Sequence, residues 1–212
     1  MIRPPEITAL EHRFIPAAQP SRRLMVVLHG LGDSMAGFFW LPGTLALPSM
    51  NYLLVNAPHP YFTGYSWYDI ADPEPGVLQG RGLLADLFSE LEAQGWAAED
   101  VVLFGFSQGC LMSIDFALRF AKPLAGIVGV SGYAFGLERL ESEMHPQARA
   151  QSWLITHGTQ DELLPVSRTR AQMETLKAAG IPLAWHEFPK SHTIDPEDEL
   201  ALIRQWVEAR WP

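Results

Sequence analysis

Residues 101–109 read Val101-Val-Leu-Phe-Gly105-Phe-Ser107-Gln-Gly109, an apolar run that leads directly into a Gly-x-Ser-x-Gly motif. The residues that follow, 108–120, have the length of a helix, so the motif lies between a predicted strand and a predicted helix. In this setting it predicts a sharp turn that exposes the serine hydroxyl above a sheet. Ser107 is therefore the candidate nucleophile. The alternative is an ordinary glycine-rich turn in which Ser107 only caps the helix.

Short apolar runs that end in glycine, proline or asparagine recur on both sides of this motif. Most lack alternation with polar residues, which is typical of strands covered on both faces in a parallel sheet. Helix-length segments separate them, so we predict an α/β fold with a mostly parallel central sheet and helices on both faces. Residues 6–14 predict an antiparallel edge strand or hairpin arm, and Pro16–Pro20 and Pro58–Pro75 predict loops. The predicted strands are Leu24–Leu28, Tyr52–Asn56, Val101–Gly105, Gly126–Val130, Trp153–Thr156 and Leu183–Phe188, and the predicted helices are Gly76–Gln94, Gln108–Phe120, Val166–Ala179 and Pro196–Arg210.

Length and composition limit the kind of protein. The chain has 212 residues and one cysteine, and 24 acidic against 15 basic residues give a formal net charge of −9. This length favours one domain over residues 1–212, and a single cysteine excludes a disulfide framework or a multi-thiolate metal cage. The negative charge argues against nucleic-acid partners and anionic membranes. Without a signal peptide or an apolar run of membrane-spanning length, we expect a cytoplasmic protein with no membrane insertion.

A serine nucleophile needs a general base and a residue that orients this base. In a sheet of this kind they follow the serine in the order carboxylate, then histidine. Asp161 follows a predicted strand, and Glu162 beside it is the alternative carboxylate. Of the two later histidines, His186 lies inside a predicted strand, whereas His192 lies in the loop before the last helix. We therefore predict a triad of Ser107, His192 and Asp161; the alternatives make Asp161 a solvated charge and His192 a surface histidine.

The reaction also needs backbone N–H groups that stabilise the oxyanion of a tetrahedral intermediate. Gln108 directly follows the nucleophile, and the loop at 29–33 after an earlier strand contains Leu31, so these two N–H groups are the candidates. The loop also resembles a dinucleotide fingerprint, but methionine stands where its third glycine or alanine is needed, and no P-loop lysine follows. His29 and His157 each precede a glycine after a strand, where we expect them to shape turns; histidine spacing indicates no metal site.

With these residues in place, the sequence resembles the phospholipase/carboxylesterase family of small α/β-hydrolases, which includes acyl-protein thioesterases. The resemblance implies the α/β-hydrolase fold and supports the same triad and oxyanion donors. Two features depart from the family pattern: Cys110 stands where a second glycine often follows the nucleophile turn, and the surroundings of His192 differ from the usual Gly-His-Ser. The matching stretches are Leu28–Asp33, Ser66–Ile70, Gly105–Gly109, His157–Gly158 with Asp161 and Leu164–Pro165, and His192.

These residues predict a serine hydrolase that cleaves carboxylic esters or acyl thioesters through an acyl-enzyme, without a metal or an organic cofactor. The connection Ser131–Gln151 is too short for a large cap domain, which favours small esters or accessible acyl chains. From the aromatic stretch at 58–68 we expect Phe62, Tyr65 and Trp67 to contact the substrate, the alternative being that they cover the core. Lysophospholipase, acyl-protein thioesterase, amidase or peptidase activity and a non-catalytic binding protein remain alternatives. The natural substrate and the oligomeric state stay open.

Overall fold

The computed structural model of the protein describes residues 3–211. Strands and helices alternate along most of this range. The strands are β1 (His12–Ile15), β2 (Leu24–Leu28), β3 (Asn51–Val55), β4 (His59–Tyr61), β5 (Gly64–Ser66), β6 (Val101–Phe106), β7 (Gly126–Val130), β8 (Trp153–Gly158) and β9 (Leu183–Phe188). The α-helices are α1 (Leu41–Leu45), α2 (Pro73–Ala93), α3 (Gln108–Arg119), α4 (Leu140–Glu143), α5 (Val166–Ala178) and α6 (Asp198–Glu208).

Seven of the strands form one sheet in the order β1-β3-β2-β6-β7-β8-β9, while β4 and β5 pair as a separate antiparallel hairpin. Neighbouring strands from β3 to β9 in this order are parallel, and β1 pairs with β3 antiparallel at the edge. The predicted α/β fold with a mostly parallel sheet is therefore confirmed. The predicted edge strand is also present, although it begins only at His12.

The unbroken apolar runs of the inner strands have helices on both sides. In β2, Leu24, Val26 and Leu28 belong to the core that contains side chains of α2, α3 and α5. Met25 and Val27 alternate with them and belong to the opposite core, with α1 and α6. Burial of each such side chain contributes about 1.5–3 kcal/mol. Both faces of the strand are therefore apolar, and the usual alternation with polar residues is lost.

The structure differs from the sequence prediction in several segments; α6 begins at Asp198 rather than at Pro196, and the short helices α1 and α4 were not predicted. Helix α2 begins at Pro73 rather than at Gly76, because proline is accommodated in the first turn of a helix. Gly76 lies inside the helix, where a Cβ would come 2.7 Å from the backbone of the loop after β5. The segment 58–75, predicted as a loop, contains the β4–β5 hairpin. A close approach between elements, and not a helix boundary, is thus the reason for Gly76.

The carboxyl ends of the parallel strands meet at one edge of the sheet. There β2 leads to Leu31, β6 to Ser107, β8 to Asp161 and β9 to His192. In an open α/β sheet, ligands bind in the crevice outside this edge. The connection from β7 to β8 folds only into α4 and 3-10 turns, so no large cap covers the edge. None of the helices in residues 3–211 has both the length and the hydropathy of a membrane span.

Candidate active site

Ser107 lies at the turn between β6 and α3, with φ 53° and ψ −115°. Residues other than glycine rarely adopt a positive φ, and the conformation costs about 1–3 kcal/mol. The Ser107 N–H donates to the Val130 carbonyl at 2.9 Å. A Cβ on Gly105 would lie 2.2 Å from the Gly109 carbonyl oxygen, and a Cβ on Gly109 would lie 2.1 Å from that of Leu28. Both glycines of the motif are therefore required for the packing of this turn.

The three residues predicted as a triad are in hydrogen-bond contact. His192 Nε2 lies 2.9 Å from Ser107 Oγ, and His192 Nδ1 lies 2.8 Å from Asp161 Oδ2. A carboxylate accepts a hydrogen bond from Nδ1–H, which leaves the Nε2 lone pair for the serine hydroxyl. Of the alternatives, Glu162 is exposed and His186 lies within β9. The structure thus brings together the residues that chain order selects.

Asp161 is buried and held by its own loop. Its Oδ1 accepts the N–H of Leu163 at 3.0 Å and the N–H of Leu164 at 2.8 Å. Burial alone raises the pKa of Asp161, but the hydrogen bonds from Leu164 and from the His192 ring outweigh it and lower this pKa below its usual value. Asp161 is therefore ionised at neutral pH and acts only as a hydrogen-bond acceptor.

Two buried histidines hold the loops beside the site. His29 Nε2 accepts the Ala57 N–H at 3.0 Å, so its Nδ1 carries the proton and donates to the Gly30 carbonyl at 2.6 Å. His157 Nε2 donates to the Leu164 carbonyl at 2.8 Å, and its Nδ1 has no hydrogen-bond partner within residues 3–211. Burial is the main cause that lowers the pKa of both histidines. Both rings are neutral and link a strand end to a loop, as expected from the sequence.

Leu31 and Gln108, whose backbone N–H groups are the candidate oxyanion donors, line the cavity that contains Ser107. No acceptor in the described part of the chain takes either hydrogen. The Gln108 side chain accepts the Trp67 N–H at 2.9 Å and donates to the Tyr68 carbonyl at 2.9 Å. It therefore binds the start of α3 to the loop after β5. The Gly-x-Ser-x-Gly motif indicates only the backbone N–H of Gln108 and not this role of its side chain. A glutamine at the first position of a helix, where it becomes buried, is the signal that could have indicated the role.

The cavity at Ser107 and His192 has a volume of about 450 Å³. Its rim includes Ile70 and Leu163, whose side chains are 66% and 72% exposed. Adjoining cavities of about 530 Å³ and 500 Å³ share Ile70 with it. No sequence motif marks these exposed apolar residues as cavity lining, although Leu163 directly follows the acidic pair of the Asp161 loop. The apolar part of the lining consists of Leu31, Tyr68, Ile70, Phe106, Tyr133, Leu163 and Leu164.

The three aromatic residues predicted to contact the substrate do not line this cavity. Trp67 is 0% exposed, and its indole N–H donates to the His29 carbonyl at 3.0 Å. The Tyr65 hydroxyl donates to Glu11 at 3.2 Å, and Phe62, 93% exposed, lies at the turn of the β4–β5 hairpin. The predicted substrate contacts are therefore wrong for Trp67, which belongs to the core. The cause is the hairpin, which a loop interpretation of the segment does not foresee.

Cys110, a departure from the family pattern, lies in the first turn of α3 and is fully buried. Burial raises the pKa of its thiol to about 12, so the thiol stays protonated and unreactive. A Cβ on Gly129 would come 2.7 Å from its Sγ, which shows how closely Cys110 is packed. Within residues 3–211, no group of three or more His, Cys, Asp or Glu side chains is arranged to hold a metal ion.

Comparison with known proteins agrees with this geometry. The profile of the family described as phospholipase/carboxylesterase matches residues 11–210. The chain belongs to the phospholipase/carboxylesterase family. Acyl-protein thioesterase 1 of Schizosaccharomyces pombe is 31% identical over an alignment of 197 positions, which covers 85% of this chain and 88% of that protein. Acyl-protein thioesterase 1 of Yarrowia lipolytica is 28% identical over an alignment of 216 positions, which covers 92% of this chain and 94% of that protein.

The crystal structure of esterase PE8 matches with a TM-score of 0.82 and 28% identity, over 95% of this chain and 99% of that chain. The fold is thus the α/β-hydrolase fold, as the resemblance implied. Membership of the phospholipase/carboxylesterase family, together with esterase relatives that match over most of the chain, makes the protein an esterase.

Proposed function

We propose that the protein is a serine hydrolase that cleaves carboxylic esters or acyl thioesters through an acyl-enzyme on Ser107. The observation that carries this proposal is the hydrogen-bonded chain from Ser107 through His192 to Asp161 at a strained strand-to-helix turn. A serine hydroxyl is a weak nucleophile at neutral pH, so an adjacent base is the minimum requirement for this chemistry. The apolar cavity at the serine and the esterase relatives support the substrate class.

In the first half of the reaction, Ser107 Oγ bonds to the substrate carbonyl carbon while His192 Nε2 takes the hydroxyl proton. The carbonyl π electrons move to oxygen, and the Leu31 and Gln108 N–H groups donate to the resulting oxyanion. When the intermediate collapses, the bond from carbon to the leaving oxygen or sulfur breaks. His192 returns its proton to the leaving group, and an alcohol or thiol departs.

In the second half, water attacks the acyl-enzyme carbonyl and His192 Nε2 takes a proton from it. Collapse of the second intermediate breaks the bond to Ser107 Oγ, which recovers the proton, and the carboxylic acid departs. Asp161 stays ionised in both halves, keeps the proton on Nδ1 and stabilises the imidazolium. The residues of this chain thus supply every proton transfer that the two steps require.

The rim of the cavity suggests where the acyl group binds. Ile70 and Leu163 are large, exposed and apolar beside the candidate nucleophile, and Tyr133 lines both the cavity at Ser107 and the adjoining cavity of about 500 Å³. Burial of one methylene group contributes about 0.8 kcal/mol, which corresponds to about fourfold in kcat/KM. We therefore expect kcat/KM to rise with acyl-chain length until the chain exceeds the cavity. Thioester substrates fit the same scheme, and the names of the yeast relatives favour them as a second substrate class.

A panel of p-nitrophenyl esters from acetate to decanoate tests the proposal, with an N-acetylcysteamine thioester and peptide anilides beside it. The Ser107→Ala variant should lose at least about 10³-fold in kcat/KM on all esters. Ser89→Ala, on the exposed side of α2, is the matched control and should stay within about twofold of wild type. Undiminished hydrolysis by Ser107→Ala would overturn the proposal, and turnover of peptide anilides alone would favour an amidase or peptidase.

A further inference from the structure

A buried ion pair lies beneath the loop that carries His192. The Lys190 ammonium contacts both carboxylate oxygens of Glu199 at 2.6 Å, and both side chains are almost completely buried. Lys190 follows the end of β9, and Glu199 is in the first turn of α6, so the pair spans the loop between these elements. Neither side chain takes part in the mechanism described above.

The remaining hydrogen bonds of the pair hold the main chain next to the histidine. Lys190 Nζ donates to the Thr193 carbonyl at 2.7 Å and to Ser131 Oγ at 3.2 Å. Glu199 Oε2 accepts the Asp195 N–H at 2.7 Å. An ammonium has three hydrogens, and Glu199, Thr193 and Ser131 together use all of them. The pair is thus bound to the loop on the carboxyl side of His192.

The main chain of Lys190 joins the same loop to the loop of Asp161. The Lys190 carbonyl accepts the Gln160 N–H at 3.1 Å, and the Phe188 carbonyl accepts the Thr159 N–H at 2.8 Å. Lys190 is therefore bound through its backbone to the segment that precedes the carboxylate. Through its side chain it is bound to the segment that follows the histidine.

Two buried charges are not the simplest way to stabilise this region. Removal of each ion from water costs several kcal/mol, and well-packed apolar residues often replace a buried ion pair without loss of stability. Burial lowers the pKa of Lys190, and the Glu199 carboxylate opposes this shift. An apolar pair would fill the same volume but would offer no hydrogen bond to the Thr193 carbonyl or the Asp195 N–H. What the charges add is therefore a fixed direction of the main chain.

We propose that Lys190, held by Glu199, is a positioning residue that fixes the His192 loop against Ser107. This inference rests on the proposed function, in which His192 is the general base. Residues 189–197 contain no helix or strand, so the backbone ladder of a regular element does not hold this loop. A displacement of about 1 Å at a reacting group costs about 10² in rate. The effect should fall on the chemical step rather than on substrate binding.

The double variant Lys190→Met/Glu199→Leu tests this inference, because it removes both charges and leaves neither partner buried alone. We expect its thermal midpoint to stay within a few degrees of wild type. We expect kcat to fall about 10–100-fold and KM to change less than about twofold on p-nitrophenyl butyrate. Active-site titration with a fluorophosphonate should normalise kcat to the number of competent sites.

Glu199→Gln is the conservative variant, because the amide keeps an oxygen for Lys190 and for the Asp195 N–H. Its kcat should lie between those of wild type and the double variant. Asp115→Asn is the matched control: Asp115 is fully buried and paired with Arg81 and Arg119 at 2.8 Å and 2.7 Å, between α2 and α3. It should lose stability and keep kcat per titrated site within about twofold.

The outcomes separate this inference from the proposed function. A double variant with wild-type kcat per titrated site, or a loss confined to KM, would overturn the positioning role. The positioning role would also be overturned if Asp115→Asn lowered kcat per site as much as the double variant does, since any buried charge would then act alike. Retained hydrolysis by Ser107→Ala would instead overturn the proposed function itself.

Discussion

At the scale of single residues, the candidate chemistry depends on the proton positions of one imidazole ring. Asp161 only accepts hydrogen bonds, because its lowered pKa keeps it ionised. Its Oδ1 accepts the N–H groups of Leu163 and Leu164, and its Oδ2 lies at His192 Nδ1. The ring proton of His192 must therefore be on Nδ1, which faces Asp161, and Nε2 is free to accept a hydrogen bond from Ser107. Loss of the acceptor at position 161 should reverse this arrangement.

Asp161→Asn tests the arrangement directly. The asparagine NH₂ group can donate to Nδ1, which moves the ring proton to Nε2 and removes the base from Ser107. We expect kcat to fall by about 10⁴-fold with little change in KM. Steady-state kinetics on p-nitrophenyl butyrate measures this, with Glu162→Gln as the exposed neighbouring control, expected within about twofold of wild type. A loss of less than about tenfold would contradict the assigned tautomer.

Single residues were also the most predictable part of the site. Ser107, Asp161 and His192 follow from a motif and from chain order, which depend on the chemistry and not on packing. The lining of the cavity at Ser107 did not follow in this way. Trp67 and Ile70 are three residues apart, yet one is buried and the other is exposed at the cavity. Which of them reaches the cavity depends on the hairpin that precedes them.

At the scale of elements, the turn between β6 and α3 imposes the strictest packing conditions. Helix α3 begins directly at the end of β6, and its first residues are in contact with the ends of β2 and β7. Strand β6 and the loops around it therefore accept no additional atoms at Gly105 or Gly109. Gly82, on the exposed side of α2, carries no such condition, because no atom lies within 4 Å of an added Cβ.

Two glycine-to-alanine variants should therefore change stability in opposite directions. Gly105→Ala places a methyl group 2.2 Å from a carbonyl oxygen and should lower the free energy of unfolding by about 3 kcal/mol or more. Gly82→Ala removes backbone freedom from the unfolded chain and should raise it by about 0.5–1 kcal/mol. Urea denaturation followed by circular dichroism measures both. Equal midpoints for the two variants would show that the turn is less crowded than its geometry indicates.

The inner strands were predictable because burial on both faces leaves an unbroken apolar run, as in β2 and β7. The β4–β5 hairpin was not, because its strands are three residues long and its stretch is rich in proline. Its position depends on tertiary hydrogen bonds, such as the Gly32 N–H to the Tyr65 carbonyl at 2.8 Å. Local sequence does not indicate such a partner.

At the scale of the whole molecule, stability should depend on pH through its buried histidines. His29 and His157 are neutral in the fold, and burial lowers the pKa of both. In the unfolded chain they take up protons at an ordinary histidine pKa of about 6.5. Below this pH the unfolded state binds more protons, so the free energy of unfolding decreases as pH falls. The lowered pKa of Asp161 adds stability that is lost only at more acidic pH.

We expect the free energy of unfolding to decrease between pH 6.5 and pH 5 with a slope of up to about 1.4 kcal/mol per pH unit for each buried histidine. Urea titrations at pH 7.5, 6.0 and 5.0 measure this slope. His157→Gln should reduce it, whereas His186→Gln, at an exposed position of β9, should leave it unchanged. A slope that is the same in wild type and His157→Gln would exclude His157 as a source of the acid sensitivity.

The proposed catalytic groups are divided between two stretches of the polypeptide. The stretch before the exposed bend at 121–122 contains the proposed nucleophile and both oxyanion donors, and the stretch after it contains the proton relay. Strand β7, which belongs to the second stretch, pairs with β6 of the first and with its own neighbour β8. Under the proposed mechanism, a protein cleaved at this bend yields two inert fragments. Because each fragment lacks part of the proposed catalytic machinery, ester hydrolysis would be observed only when the two fragments reassemble.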